Sequence, residues 1–192
     1  MRRSPFVVAL IVVAGPLGAQ QLTGPDVGSK PVQASVAVRP AQSLSVNPIG
    51  IAAGFYSAEF ERRVSTNATL SIGGSYFDLG DGFAQVSYLA GDLRGRFYPR
   101  RALDGLSIGG SVGVIRTGTS TSDPNGGGGY VQKYKSGVTL GTTVEHSWLL
   151  GERENFMFSL GGGFKRVILF GGKEPNVETF YPTLRTSFGV LF

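Results

Sequence analysis

From Thr69 to Phe192 the chain falls into short stretches in which large apolar residues take every second position. The closing stretch, FYPTLRTSFGVLF, shows the pattern clearly. Leu184, Thr186, Phe188, Val190 and Phe192 share one parity, Arg185, Ser187 and Gly189 the other, and Leu191 is the exception. Alternate side chains of a strand point to opposite faces, so each stretch is a ribbon with one apolar face. Leu70, Ile72 and Tyr76 alternate with Ser71, Gly73 and Ser75. Leu106, Ile108, Val112 and Val114 alternate with Ser107, Gly109, Ser111 and Gly113, and Phe156, Phe158, Leu160 and Phe164 oppose Ser159, Gly161 and Gly163. A helical repeat cannot produce this spacing.

The second face is too rich in glycine and serine to be an ordinary water-facing surface. The whole chain has 30 glycines and only 16% charged residues. An eight-stranded barrel has an interior just wide enough to be filled by side chains. Tiny residues there leave room for a few long charged ones to cross, while the large aliphatic and aromatic face suits lipid. No apolar run after the first twenty residues resembles a spanning helix, so a closed barrel is the remaining way to satisfy backbone groups in a bilayer. The alternative is a soluble lipocalin-like barrel or sandwich with its apolar face turned inward.

Residues 1–19 read as a secretory signal peptide. Arg2 and Arg3 form its charged start, Phe6 to Ala14 its apolar core, and Gly18 and Ala19 a small-residue cleavage site. An uncleaved anchor is the alternative, disfavoured by the shortness of the apolar run. Residues 20–31 are polar and broken by Gly and Pro, a flexible periplasmic lead-in. The barrel domain is expected over 32–192. Val32, Val36, Val38, Leu44 and Val46 suggest a first strand in spite of Pro40, which removes a ladder donor. Asn47-Pro48 reads as a turn and Gly50 to Arg63 as the second strand, with Ala52, Gly54, Tyr56, Ala58 and Phe60 on one side and Phe55, Ser57, Glu59 and Glu61 on the other. The remaining strands bring the count to eight, in an up-and-down antiparallel meander. Connections near 64–68, 99–104 and 149–155 then share the periplasmic side with the C-terminus. The segment GTSTSDPNGGGG, Gly118 to Gly129, becomes a mobile outer loop. Aromatics on the apolar parity gather toward strand ends: Tyr76, Tyr134, Phe170 and Phe180 at one level, Phe60, Phe97, Trp148, Phe156 and Phe192 at the other. Two such belts are what a membrane barrel needs. Phe77, Tyr88 and Tyr181 break the pattern.

Together these features resemble the small OmpA/OmpX-type outer-membrane β-barrel domains, over about residues 43–192. The VNPIG…YSAEFERR and LRGRFYPRR segments are similar to an uncharacterised bacterial family of such barrels. The closing strand resembles their C-terminal targeting strand, with a terminal aromatic after alternating apolar residues. The resemblance implies an outer-membrane location, a lipid environment, and recognition of Phe188, Val190 and Phe192 by the barrel assembly machinery.

On the inward parity Glu59, Glu61, Asp92, Arg94, Arg96 and Glu145 collect toward the periplasmic end, with Lys165 and Arg185 higher. These eight can form an ion-pair network plugging the lumen, since an arginine fork bridges two carboxylates across a strand of small residues. The alternative is charges that are solvated independently. Arg116 and Arg166 fall on the lipid parity about ten residues up their strands, roughly one bilayer crossing. Both are expected at the outer rim, within reach of lipid phosphates or simply snorkelling.

His146 is the only histidine, between Glu145 and Ser147. Consecutive strand residues face opposite ways, so the three cannot form a catalytic relay. Cysteine is absent, excluding disulfides and thiolate metal sites. No phosphate-binding loop or metal-ligand spacing stands out, and no cofactor is implied. The net charge of +5, or +3 without Arg2 and Arg3, is scattered among acidic residues, which argues against nucleic acid. The reading is a monomeric, non-enzymatic outer-membrane barrel presenting loops over a plugged lumen. A narrow passage for small or amphipathic solutes comes second, and a lipid-modifying enzyme third.

Overall fold

The structure, a computed structural model, describes residues 40–80, 85–122, 130–170 and 177–192. Eight strands and one short helix follow in order: β1 (Gln42–Val46), α1 (Pro48–Ala52), β2 (Phe55–Arg63), β3 (Ala68–Leu79), β4 (Val86–Phe97), β5 (Gly105–Ser122), β6 (Tyr130–Leu150), β7 (Phe156–Phe170) and β8 (Val177–Leu191). Each strand pairs antiparallel with the next, and β8 returns to β1, so the sheet closes as an all-β meander barrel. Closure leaves no unpaired edge. The seam is short, Ser43↔Leu191 to Val46↔Phe188. It is extended by backbone bonds from Ala41 and Gln42 N–H to the Phe192 carbonyl (3.1 and 3.0 Å) and from Phe192 N–H to the Gln42 carbonyl (3.0 Å).

The alternation sorts side chains as its period demands. Ile108 (56% exposed), Leu140 (48%) and Phe188 (42%) point out from the cylinder, whereas Ser107 and Thr139 (each 1%) point in. The barrel is therefore inverted relative to a water-soluble one: its large apolar residues lie outside and its polar ones inside.

Three expectations need correction. Asn47-Pro48 does not make a simple turn but opens α1. Asn47 Oδ1 accepts the Gly50 N–H (2.9 Å), and Pro48 sits in the first turn, where its missing donor is not needed. The same Oδ1 accepts a hydrogen bond from Thr186 Oγ1 (2.8 Å), which ties the helix start to β8. The second strand consequently begins at Phe55 rather than Gly50. Gly54, at φ +77°, makes the bend back into the sheet, so the parity of Ala52 and Gly54 is coincidental. Third, β5 and β6 run further than apolar content alone suggests, pairing as far as Ser122↔Tyr130. Threonines between 117 and 121 are good strand residues, and ladder hydrogen bonds need no apolar side chain. Residues 1–39, which carry the expected leader, the lead-in and Val32, Val36 and Val38 of the expected first strand, lie outside the described residues, as do 123–129 of the Gly-rich loop.

The end of the barrel nearest the C-terminus has an apolar floor. The β4–β5 connection buries Tyr98, Ala102 and Leu103 (1–3% exposed). Leu103 packs with Met157 of β7 and Leu191 of β8, with Leu149 against them. Since β4 and β8 stand far apart in the meander, this connection reaches across the opening. Leu191 breaks the alternation because it faces this floor. Leu103 adopts φ 70°, uncommon for a side-chain-bearing residue, in order to point there.

Candidate functional site

The barrel interior is where the sequence places its charges, and the structure brings them together in two groups. Glu59 and Glu61 project from β2, Arg94 and Arg96 from β4, with β3 between them. On β3 the facing residues are Gly73, opposite Glu59 and Asp92, and Ser71, opposite Glu61 and Arg94. Neither side chain is tall enough to separate the two flanks, so the arginines lean across. Arg94 pairs with Glu59. Arg96 reaches Glu59 (2.5 Å), Glu61 (2.6 Å) and Glu145 of β6 (3.4 Å). From the other side Arg185 of β8 pairs with Glu59 (2.9 Å) and Glu145 (2.8 Å). Glu59 is thus shared by three arginines and Arg96 by three glutamates. Glu61 also accepts from Thr69 Oγ1 and from the Tyr98 hydroxyl (3.1 Å). Tyr98 lies one residue past β4, and burial together with the neighbouring Glu61 carboxylate holds its phenol above the ordinary range.

A second group sits nearer the distal end. Lys165 Nζ of β7 lies 2.8 Å from Asp92, which also accepts from Thr139 Oγ1 of β6 (3.1 Å). Two glycines make these reaches possible. A Cβ on Gly113 would collide with Asp92 Oδ1, and one on Gly161 would collide with Glu145 Cγ. Each carboxylate side chain therefore lies over a glycine of the adjacent strand. Across both groups four carboxylates meet four cations, so the charges of these eight residues balance. Buried ions of this kind persist only with good geometry and further hydrogen bonds. Lys165 and Arg185 follow Asp92 and Glu59 into this layer rather than standing apart from it.

Further toward the distal end the inward face changes character. Phe55, Phe77 and Tyr88 form an aromatic group in which Phe77 and Tyr88 stack at 5.1 Å. Ala90, Ile115 and Val167 form a buried cluster against which Tyr88, Leu169 and Tyr181 pack. Phe77, Tyr88 and Tyr181, the aromatics that broke the two-belt pattern, thus face inward. This tier and the floor around Leu103 are the parts of the interior that alternation alone did not locate. Their signal was present: bulky residues on the small-residue parity, and a leucine in a polar connection.

On the outer face Arg116 and Arg166 do not share a row. Arg166 pairs in register with Leu140, and Leu140 with Val112, four positions short of Arg116. Rows climb along the axis of a barrel because its strands are tilted, so Arg166, two strands further round, rises with its row toward the level of Arg116. The Arg116 guanidinium lies 4.4 Å from the Tyr134 ring centroid, whereas Arg166 borders a groove floored by Gly95, Gly110 and Thr142. His146 lies 4.4 Å from the Trp148 ring on the outer face, opposite in direction to the buried Glu145 and Ser147. Phe188 and Val190 are exposed on the outside of β8, and Phe192 is exposed just past it. Among the described residues no cluster of His, Asp or Glu is arranged to hold a metal ion.

No family model and no curated protein matches this sequence. Among solved structures, the crystal structure of the N-terminal β-barrel domain of Pseudomonas aeruginosa OprF aligns with 80% of this chain and 98% of that one, at 12% identity and a TM-score of 0.47. The class of protein is defined by the chain's own topology: a closed eight-stranded antiparallel barrel, apolar outside and charged within.

Proposed function

We propose that this chain is a monomeric, non-enzymatic outer-membrane β-barrel, exported through its 1–19 leader, that serves as a lipid-embedded scaffold presenting its distal loops. The observation that carries this reading is the exposed apolar surface on all eight strands. Val46, Tyr56, Ile72, Leu93, Ile108, Leu140, Phe164 and Leu184, one from each strand in order, are all at least 40% exposed. Soluble monomers rarely expose apolar patches beyond about 300–600 Å². A belt that runs round the whole cylinder exceeds that, and hydrocarbon is the environment that satisfies it. In this reading the ion-pair layer and the Leu103 floor plug the lumen, Arg116 and Arg166 approach lipid phosphates, and Phe188, Val190 and Phe192 are presented to the assembly machinery.

The test is expression of the full chain in a Gram-negative host, followed by membrane fractionation and electrophoresis with and without boiling. The outcome expected is recovery in the outer-membrane fraction with a mobility that shifts on heating. Recovery in the soluble periplasmic fraction would overturn the proposal. In planar bilayers the same protein is expected to give no steady conductance, which separates a plugged scaffold from a narrow passage.

A further inference from the structure

Inward-facing Phe and Tyr are out of place in a barrel interior this narrow unless they pack against something. Phe55, Phe77 and Tyr88 line one side of the distal interior, and Val167, Leu169 and Tyr181 approach from β7 and β8. Between this apolar tier and the ion-pair layer lies a cavity of about 530 Å³. Small-molecule sites commonly fall at roughly 300–1,000 Å³, with apolar walls and a few convergent polar groups. The polar end here is the distal surface of the ion-pair layer. Its charged lining is unequal, with Arg94, Lys165 and Arg185 against Glu59 and Asp92. Arg185 is the member of the layer most open to the cavity, its side chain 27% exposed against 13% or less for the others. Two of the lining residues carry a buried polar atom without a hydrogen-bond partner among the described residues, Arg94 Nε and Thr143 Oγ1. Ser57, Ser75 and Thr183 add hydroxyls along the walls.

We propose that this cavity is a binding site for a small amphipathic anion, a flat aromatic body carrying a carboxylate or similar head. The ring lies against the Phe77–Tyr88 stack, where faces and edges of aromatic groups complement one another. The head accepts a charge-assisted hydrogen bond from Arg185 Nη1, since Nη2 and Nε pair with Glu59 and Glu145, and hydrogen bonds from the wall hydroxyls. A cationic head is disfavoured, because the lining carries three cations against two carboxylates, and Glu59 alone already faces three arginines. The cavity is a dead end, closed by the charged layer, so the ligand is held rather than passed. This goes beyond a scaffold role and does not depend on what surrounds the barrel.

The probe is 2-naphthoate, titrated into the folded full-length protein in detergent micelles and followed calorimetrically, with protein-free micelles subtracted. The result expected is saturable binding at one site per chain, at least tenfold weaker for 2-naphthylmethylammonium. Arg185→Gln is expected to weaken naphthoate binding at least tenfold. Ser75→Phe, which fills the cavity from β3 without touching the charge layer, is expected to abolish it. If Arg185→Gln does not fold, Ser75→Phe and the cationic probe still decide. Binding no greater than to empty micelles, equal binding of anion and cation, or undiminished binding by Ser75→Phe would each overturn the proposal.

Discussion

Arg96 Nη2 stands 2.5 Å from Glu59 Oε1 although a whole strand separates their backbones. The contact exists because β3 offers only Gly73, Ser71 and Thr69 to the interior between them, none long enough to stand in the way. It makes Glu59 the hub of the layer, since Arg94 and Arg185 converge on the same carboxylate. Removing one partner of a buried pair leaves the other uncompensated, at a cost of about 3–5 kcal/mol. Glu59→Gln is expected to destabilise the barrel by about that much in urea unfolding from lipid vesicles. A loss below about 1 kcal/mol, the range of exposed pairs, would mean that the charges are solvated independently.

Two glycine substitutions separate the inner face from the outer. A Cβ on Gly161 would collide with Glu145 Cγ and stand 2.5 Å from the Val144 carbonyl oxygen, so Gly161→Ala must displace backbone or the Glu145–Arg185 pair. Gly95, on the outside of β4, has no neighbouring atom within 4 Å of the point where a methyl group would stand. Gly95→Ala is expected to be neutral or to stabilise by up to about 0.5–1 kcal/mol, while Gly161→Ala impairs folding. The comparison is read from folding yield and urea midpoints measured side by side, and equal behaviour of the two would contradict the packing described.

Ile72 is 62% exposed on β3, between Phe60 and Leu93 in register. In water, exchanging so exposed a residue for arginine would change stability by no more than about 0.5 kcal/mol. In a bilayer the same change is expected to cost about 2–4 kcal/mol near the midplane. Unfolding of Ile72→Arg from vesicles distinguishes the two environments.

At the seam, Phe192 has two separable parts. Its backbone completes the β1–β8 closure through bonds with Ala41 and Gln42, and its exposed ring is the group expected to be read during assembly. Phe192→Ser keeps the backbone and is expected to lower outer-membrane yield in cells while leaving refolding into detergent unchanged. Deleting the residue is expected to reduce both. Unchanged yield in cells for Phe192→Ser would remove the ring from the assembly signal.

Much of the fold was legible because a strict two-residue period carries its own geometry. Once Ser107, Gly109 and Ser111 alternate with Ile108, Gly110 and Val112, both face assignment and register parity follow. The charges were legible for the same reason, as residues of one parity, although Lys165 and Arg185 read as standing above the other six. What alternation could not supply was local or tertiary. Asn47 caps a helix through a side-chain hydrogen bond that competes with the strand pattern, and Leu103 is buried only because its connection folds across the barrel end. Phe77, Tyr88 and Tyr181 looked like errors on the small-residue face, and they form an apolar tier that pairwise alternation does not describe.

The central claim is that the apolar outer face meets hydrocarbon, and the chain carries its own reporter for it. Trp148 is the sole tryptophan; it is 42% exposed on the outside of β6 and stacks on Phe158 at 5.6 Å. Its fluorescence, measured in vesicles of phospholipids brominated along the acyl chain, is the most direct test. Strong quenching by the brominated chains with little quenching by aqueous iodide is the result expected. Quenching by iodide alone, with the brominated lipid without effect, would place this face in water and contradict the membrane reading.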